Sequence, residues 1–297
     1  MVVWKDQDVR HVYECPMRWA DLDLLGHVNN VVYVDYLQEA RVDMLRVHAR
    51  SPQTQGLAEG VVVVSHQVSY VAPLLFDFTP VYVETWVTEI RAASFTLAYE
   101  IYREHEGERT VYLRASTVLS PYVFTTERPR RLRPEERRNL EPYLEPAAAA
   151  PLEFSPSRRL QLGHFPLHVR FSDVDAYGHV NNVKYFEYFQ EARLAMTHGL
   201  MRQLGETEYH PMVVVAQTDV AYKAPVLARP EPYDVWTWVS RLGTTSMTVD
   251  AEIIDATGDE ERLLARGRTV VVFYDNEQGV AVEPQENLRK LVSDQFS

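Results

Sequence analysis

Sulfur chemistry is nearly absent from the chain: 297 residues contain one cysteine, Cys15. A lone cysteine excludes an internal disulfide and a thiolate metal cluster. With Glu14 and Pro16 beside it, nothing activates it as a nucleophile, so it reads as a strand residue. Long apolar runs are also missing; none approaches the roughly 20 residues that a membrane span needs. The N-terminus shows no basic segment followed by an apolar core, so no secretory leader is expected. Positive charge is in deficit, with 30 Lys and Arg against 42 Asp and Glu and a net charge of −12. That balance argues against nucleic acid or an anionic membrane surface as a partner. No histidine spacing supports zinc, since His27 and His179 lack nearby ligand partners and His66 stands alone in a predicted strand. No Gly-x-Ser-x-Gly elbow occurs. The expectation is a cytoplasmic protein without metal or cofactor. Its 46% apolar content is enough for a real core.

What the chain does have is one stretch written twice. Arg18-Trp19-Ala20-Asp21-Leu22-Asp23-Leu24-Leu25-Gly26-His27-Val28-Asn29-Asn30 returns as Arg170-Phe171-Ser172-Asp173-Val174-Asp175-Ala176-Tyr177-Gly178-His179-Val180-Asn181-Asn182, at a constant offset of 152 (170 − 18, 179 − 27). Tyr33/Tyr185, Tyr36/Tyr188 and Gln38-Glu39-Ala40-Arg41/Gln190-Glu191-Ala192-Arg193 keep the same offset, as do Trp86/Trp238 and Arg114/Arg266. A gapless repeat of that period marks two copies of a whole domain rather than a solenoid. The Pro/Ala stretch around residues 147–151 reads as a linker. The expected division is residues 1–146, a linker at 147–151, and residues 152–297.

Each copy predicts the same elements. A strand over residues 9–18 leads into the motif, which forms a turn. Apolar residues at helical spacing from Asn30 to Ala49 predict a long helix, capped by Asn29 or Asn30 and ended by Ser51-Pro52 and Gly56. Four β-branched and aromatic runs follow, at residues 61–70, 81–88, 95–102 and 111–119, spaced for antiparallel hairpins. A short tail helix over Pro134 to Leu144 has its counterpart at Pro284 to Gln295. The basic run Arg128–Arg138 reads as the solvated face of that tail, with phosphate binding as the alternative.

The motif carries the chemistry. Asp-x-Asp sets two carboxylates before a helix N-terminus, where backbone N–H groups and partial positive charge polarise a carbonyl. A carboxylate there can activate water or attack the carbonyl itself. Gly26 and Gly178 allow close approach of a ligand or positive φ. His27 and His179 can orient a water or a substrate oxygen. Taken singly, each residue also fits a cap or turn role. The two copies share Asp, Asp, Gly, His, Asn and Asn while the filler differs.

This pattern, Asp-x-Asp-x-x-Gly-His-Val-Asn-Asn-x-x-Tyr followed by Gln-Glu-Ala-Arg, resembles the hotdog-fold thioesterases, nearest the 4-hydroxybenzoyl-CoA thioesterase-like and acyl-ACP thioesterase groups. The resemblance implies an α+β fold of tandem hotdog domains, each a curved antiparallel sheet wrapped around a long central helix and paired as an intramolecular pseudo-dimer, with further homo-oligomerisation open. It implies Asp23 and Asp175 as base or nucleophile, with His27 and His179 also functional. The backbone near Gly26 and Gly178 would polarise the thioester, and Asn30 and Asn182 would shape the substrate site. Asp21 and Asp173 would support the turn. Glu39 and Glu191 would pair with Arg41, Arg193 or the motif arginines. Acyl-ACP enzymes carry Asn where this chain has Leu25 and Tyr177, which favours acyl-CoA. An acyl-ACP thioesterase and a non-catalytic acyl-CoA or fatty-acid binder remain alternatives, and acyl length stays open. Gly163-His164-Phe165-Pro166 echoes hotdog dehydratases but precedes a strand, and the hydratase motif Asp-x-Asn-Pro-x-His is absent.

Overall fold

In the computed structural model, residues 9–23, 26–48, 60–148, 150–175, 177–205, 212–275 and 277–296 are described. Leu24, Leu25, Ala176 and the expected helix stop at Ser51-Pro52 and Gly56 lie outside them. The chain divides into two compact units, Met1–Pro151 and Leu152–Ser297. The first contains β1 (His11–Cys15), α1 (Val32–His48), β2 (Val61–Tyr70), β3 (Val81–Ile90), β4 (Phe95–His105), β5 (Glu108–Val123), β6 (Arg128–Pro129) and α2 (Pro134–Leu140). The second contains β7 (His164–Leu167), α3 (Lys184–Leu204), β8 (Val213–Tyr222), β9 (Tyr233–Leu242), β10 (Ser246–Asp255), β11 (Arg262–Asp275), β12 (Val280–Ala281) and α4 (Glu286–Phe296). Strand, helix, four antiparallel strands and tail helix thus follow in each unit, with a two-residue strand added before the tail.

The strands of the first unit lie in the order β1-β3-β4-β5-β2, and those of the second in the order β7-β9-β10-β11-β8. Their registers coincide at the sequence offset. Val83 faces Ile101 as Val235 faces Ile253, and Tyr70 faces Leu113 as Tyr222 faces Ala265. The β-bulges coincide too: Thr88 and Ser240 are both left out of register, as are Val64 and Ala216, and Tyr112 and Leu264. A bulge increases local twist and bends the strand. Each hydroxyl at the first bulge pair donates to a carbonyl on the next strand, Thr88 to Thr96 O at 3.5 Å and Ser240 to Thr248 O at 3.3 Å.

One stripe of α1 is buried, formed by Tyr33, Val34, Tyr36, Leu37, Ala40, Arg41, Met44 and Leu45. It recurs every three or four residues, the helical period, and the alternate residues Val81, Val83, Thr85 and Val87 of β3 are likewise buried. Cys15 sits buried in β1, and burial pushes its thiol up to about 12, so it is an inert strand residue. The basic run is only in part a solvated face. Arg130 grips the buried Glu136 with two bonds at 2.6 and 2.7 Å, and Glu136 also accepts the Arg133 N–H that opens α2. Arg137 donates to Arg91 O at 3.1 Å.

The far end of α1 carries a polar chain. Asp43 meets His11 Nε2 at 3.0 Å, His11 Nδ1 meets His48 Nε2 at 3.1 Å, and His48 Nδ1 meets the Tyr143 hydroxyl at 2.7 Å. With both imidazoles neutral, one direction satisfies every link: Tyr143 donates to His48, His48 to His11, and His11 to Asp43. The corresponding positions in the second unit are Gly163, Ala195, Leu200 and Gln295. There Leu200 joins Met196, Trp238, Leu288, Val292 and Phe296 in an apolar cluster.

Burial lowers the pKa of both His11 and His48 below 6.5, against the pull of Asp43. A lowered folded-state pKa contributes stability that is present above 6.5 and is lost as the pH falls through the folded-state value. The denaturation midpoint of the whole chain should therefore drop on acidification from pH 7.5 to 5.5. His48→Gln should shrink that drop. An equal drop in both proteins would show that the chain does not titrate as a unit.

Candidate active site

The motif folds as a short hairpin in each unit. A single 3-10 turn, Trp19–Asp21, turns the chain after β1. Asn29 N–H then donates to Asp21 O at 2.9 Å, Leu22 bridges Val28, Asp23 N–H donates to His27 O at 2.8 Å, and Gly26 N–H closes the tip on Asp23 O at 3.1 Å. The second copy repeats these bonds through Asn181, Val174/Val180, Asp175/His179 and Gly178. Gly26 and Gly178 have φ of +75° and +82°. A Cβ at either would meet nothing within 4 Å. The glycine is thus needed here for its backbone conformation rather than for space.

The two carboxylates have different surroundings. Asp21 is 4% exposed. Its Oδ2 accepts the Arg18 N–H at 2.8 Å and the Tyr36 hydroxyl at 2.5 Å, while Arg18 Nε stands 3.5 Å from Oδ1. Asp173 repeats this with Arg170 N–H at 2.9 Å and the Tyr188 hydroxyl at 2.7 Å. Burial, then the aspartate, pushes both phenols well above the usual tyrosine range. Asp23 and Asp175 are only half-buried, at the hairpin tip. Oδ1 of Asp23 accepts His27 N–H at 3.2 Å; Oδ1 of Asp175 accepts His179 N–H at 3.3 Å and Tyr177 N–H at 2.8 Å. The structure therefore brings Asp23, Gly26 and His27 together, and likewise Asp175, Gly178 and His179. The Gly and His N–H groups expected to face a substrate carbonyl are turned onto the aspartate in this state.

The asparagines act just before the helix. Asn29 O accepts Val32 N–H at 2.9 Å, and its side chain accepts Val31 N–H at 3.3 Å. The helix proper begins at Val32, one residue later than an Asn30 cap would place it. The carbonyl of Asn30 accepts the Tyr70 hydroxyl at 2.8 Å, as Asn182 O accepts that of Tyr222. Glu39 and Glu191 are exposed and form no ion pair among the described residues, whereas Arg41 and Arg193 are buried. Residues two apart on a helix do not face each other. Arg41 instead lies beside the Tyr99 phenol.

A second segment supports the hairpin. Leu75 bridges His27, and Val28 N–H donates to Leu74 O at 2.9 Å. Arg103 braces the turn that follows, donating to Asp77 Oδ2 at 2.8 Å, Leu75 O at 3.4 Å and Thr79 O at 2.9 Å. In the second copy the ion pair is reversed: Arg229 takes the place of Asp77, Asp255 that of Arg103, and they meet at 2.7 Å. Burial would raise Asp77 and Asp255. The neighbouring threonine donors and the arginine outweigh it, and both stand below the usual carboxylate range. Reading the two copies side by side exposes this exchange; reading either alone does not. The tyrosine anchors carry the same kind of signal, an invariant Tyr 15 residues after the first Asp.

Among the described residues no cluster of three or more His, Cys, Asp or Glu is placed to hold a metal ion, and no helix is long and apolar enough to cross a membrane.

Two outcomes follow from this bracing. Tyr36→Phe removes a donor from a buried carboxylate and should cost about 1–3 kcal/mol in urea denaturation; a neutral effect would show that the tie does not hold the hairpin. Asp77→Arg should lower the melting temperature by setting two arginines together. Adding Arg103→Asp should recover most of the loss by reproducing the second copy's arrangement, and a double variant worse than the single would refute the equivalence.

Comparison with known proteins places the chain. The sequence profile of the Thioesterase-like superfamily matches it twice, over residues 17–140 and 169–292. The uncharacterized protein YsmA of Bacillus subtilis (strain 168) is 32% identical over 117 residues, 38% of this chain and 74% of that protein. The 12:0-ACP thioesterase from Umbellularia californica shares the fold over 88% of this chain and 93% of its own, with a TM-score of 0.68 and 16% identity. An acyl-ACP thioesterase from Bacteroides thetaiotaomicron does so over 88% and 97%, with a TM-score of 0.60 and 14% identity. The two braced Asp-x-Asp hairpins are thus the repeated centre of a tandem α+β hotdog chain, and the chain belongs to the thioesterase-like superfamily.

Proposed function

We propose that the chain is an acyl-CoA thioesterase that hydrolyses an acyl-CoA to a carboxylic acid and CoA. The observation that carries this reading is the unequal treatment of the two carboxylates. Asp21 and Asp173 are consumed in folding, while Asp23 and Asp175 stand at a hairpin tip. In the reaction, Asp23 or Asp175 takes a proton from water as the water oxygen bonds to the thioester carbon. The C–S bond then breaks, and the proton passes to the departing thiolate. The His27 and His179 N–H bonds to the aspartates, 3.2 and 3.3 Å long, are at the weak end of N–H···O geometry. A substrate carbonyl can compete for those donors, with Gly26 and Gly178 setting the backbone turn. The carbonyl would gain polarisation as the aspartate is released to act on water. Asn30 and Asn182 shape the floor of the site through their backbone bonds to Tyr70 and Tyr222.

The acyl-ACP reading keeps one specific support, the likeness along nearly the whole chain to two proteins described as ACP thioesterases. Leu25 and Tyr177, where acyl-ACP enzymes carry Asn, speak for CoA. Replacing Asp23 and Asp175 together by Asn should lower thiol release from a panel of acyl-CoAs by about 10²- to 10⁴-fold. The single variants report which copy turns over. Unchanged turnover in the double variant sinks the assignment, and a wild-type preference for the same acyl group on ACP would transfer it to the protein carrier.

A further inference from the structure

The first unit displays an aromatic cluster that folding does not require. Trp19 is 74% exposed and Phe78 86% exposed. The Trp19 ring meets the edge of the half-buried Phe76 at 6.0 Å, and Phe76 meets Phe78 at 4.6 Å. Phe78 holds a φ of +64°, a backbone state that a non-glycine residue adopts at a cost. Here that cost is not offset by burying the ring. Nor is the segment loose, because Arg103 grips it on both sides of Phe78, at Asp77 and at Thr79 O. Both ring-bearing segments are tied to the catalytic hairpin, Trp19 by leading into it and the Phe76–Phe78 turn through the bridge between Leu75 and His27. Arg18, next to Trp19, keeps 73% of its side chain exposed. The second copy retains only part of this: Phe171 is 97% exposed, but Ala228 and Pro230 replace the two phenylalanines.

We propose that Trp19, Phe76 and Phe78 form a stacking platform for the adenine ring of the CoA carrier, with Arg18 facing its phosphates. The proposal rests on the acyl-CoA reading of the hairpin and adds the carrier's far end to it. Three rings at mutual angles present flat faces and edges to a planar heterocycle. They make a patch far smaller than the roughly 800 Å² per partner of a stable protein interface. The net charge of −12 opposes an acidic carrier protein or an anionic bilayer, whereas a nucleotide needs only one local cation. The platform is confined to the first unit, so the two copies should differ in their use of the carrier.

The test uses the full chain with ADP as probe in calorimetry, alongside hydrolysis of one acyl group carried on CoA and on pantetheine. Wild type should bind ADP. Trp19→Ala combined with Phe78→Asn, which tolerates positive φ, should weaken ADP by about tenfold. The same variant should raise KM for the acyl-CoA and leave kcat/KM for the acyl-pantetheine unchanged. Absence of ADP binding by wild type, or equal ADP binding by the variant, overturns the platform. So does equal loss on both substrates, which would place the rings at the acyl group. Platform-dependent binding to phosphatidylcholine vesicles without ADP binding would assign the rings to a lipid surface and overturn it as well. Platform-dependent ADP binding in a chain that cleaves no acyl-CoA would leave this inference standing while the hydrolase reading falls.

Discussion

One tie holds the motif in shape: a tyrosine hydroxyl on the central helix donating to a buried aspartate at the root of the hairpin. Tyr36 and Asp21 in one copy, Tyr188 and Asp173 in the other, join helix to hairpin across 15 residues. A buried carboxylate is costly unless its lone pairs are satisfied. Arg18 N–H and the phenol satisfy this one, so the hairpin can close in one way. The second aspartate then emerges at the tip, two residues on, because Gly26 permits the turn that returns His27 beneath it. The position of the tip aspartate thus depends on a bond made by the buried one.

Duplication preserved the frame and relaxed the contents. Bulges, registers and helix starts recur at the same offset, since each affects every side chain downstream of it on the sheet. Polar decoration was free to change wherever its partner changed too. The Asp77–Arg103 pair became Arg229–Asp255, and His48, hydrogen-bonded at the end of α1, corresponds to Leu200 in an apolar cluster of the second unit. The first site keeps its ion pair with the charges exchanged, whereas the second trades hydrogen bonding in one unit for area burial in the other.

Much of this was legible in the sequence. The element order and the repeat follow from periodicity and from the offset of 152 between Arg18 and Arg170 (170 − 18). The sequence also set Asp21 apart as a turn support. It did not reveal that the donors beside Asp23 would be spent on Asp23 itself, because a backbone N–H has no letter. Of the partners it suggested for Glu39, helix geometry denies Arg41, which lies two residues on and turns inward. Tyr36 stood in the aligned pattern without a role, because only the fold brings it to Asp21. The basic run before the linker looked like one solvated face; Glu136, lying within it, turned out to be the buried acceptor for Arg130.

The reversed ion pair has a genetic corollary. Tandem copies tend to be homogenised when one half of a gene templates repair of the other. A crossover falling between positions 77 and 103, which lie 26 residues apart, would join the loop of one copy to the strand of the other. It would set arginine against arginine or aspartate against aspartate beside the motif. The loop and the strand of each copy are therefore matched to one another and do not interchange between the halves without setting like charges together.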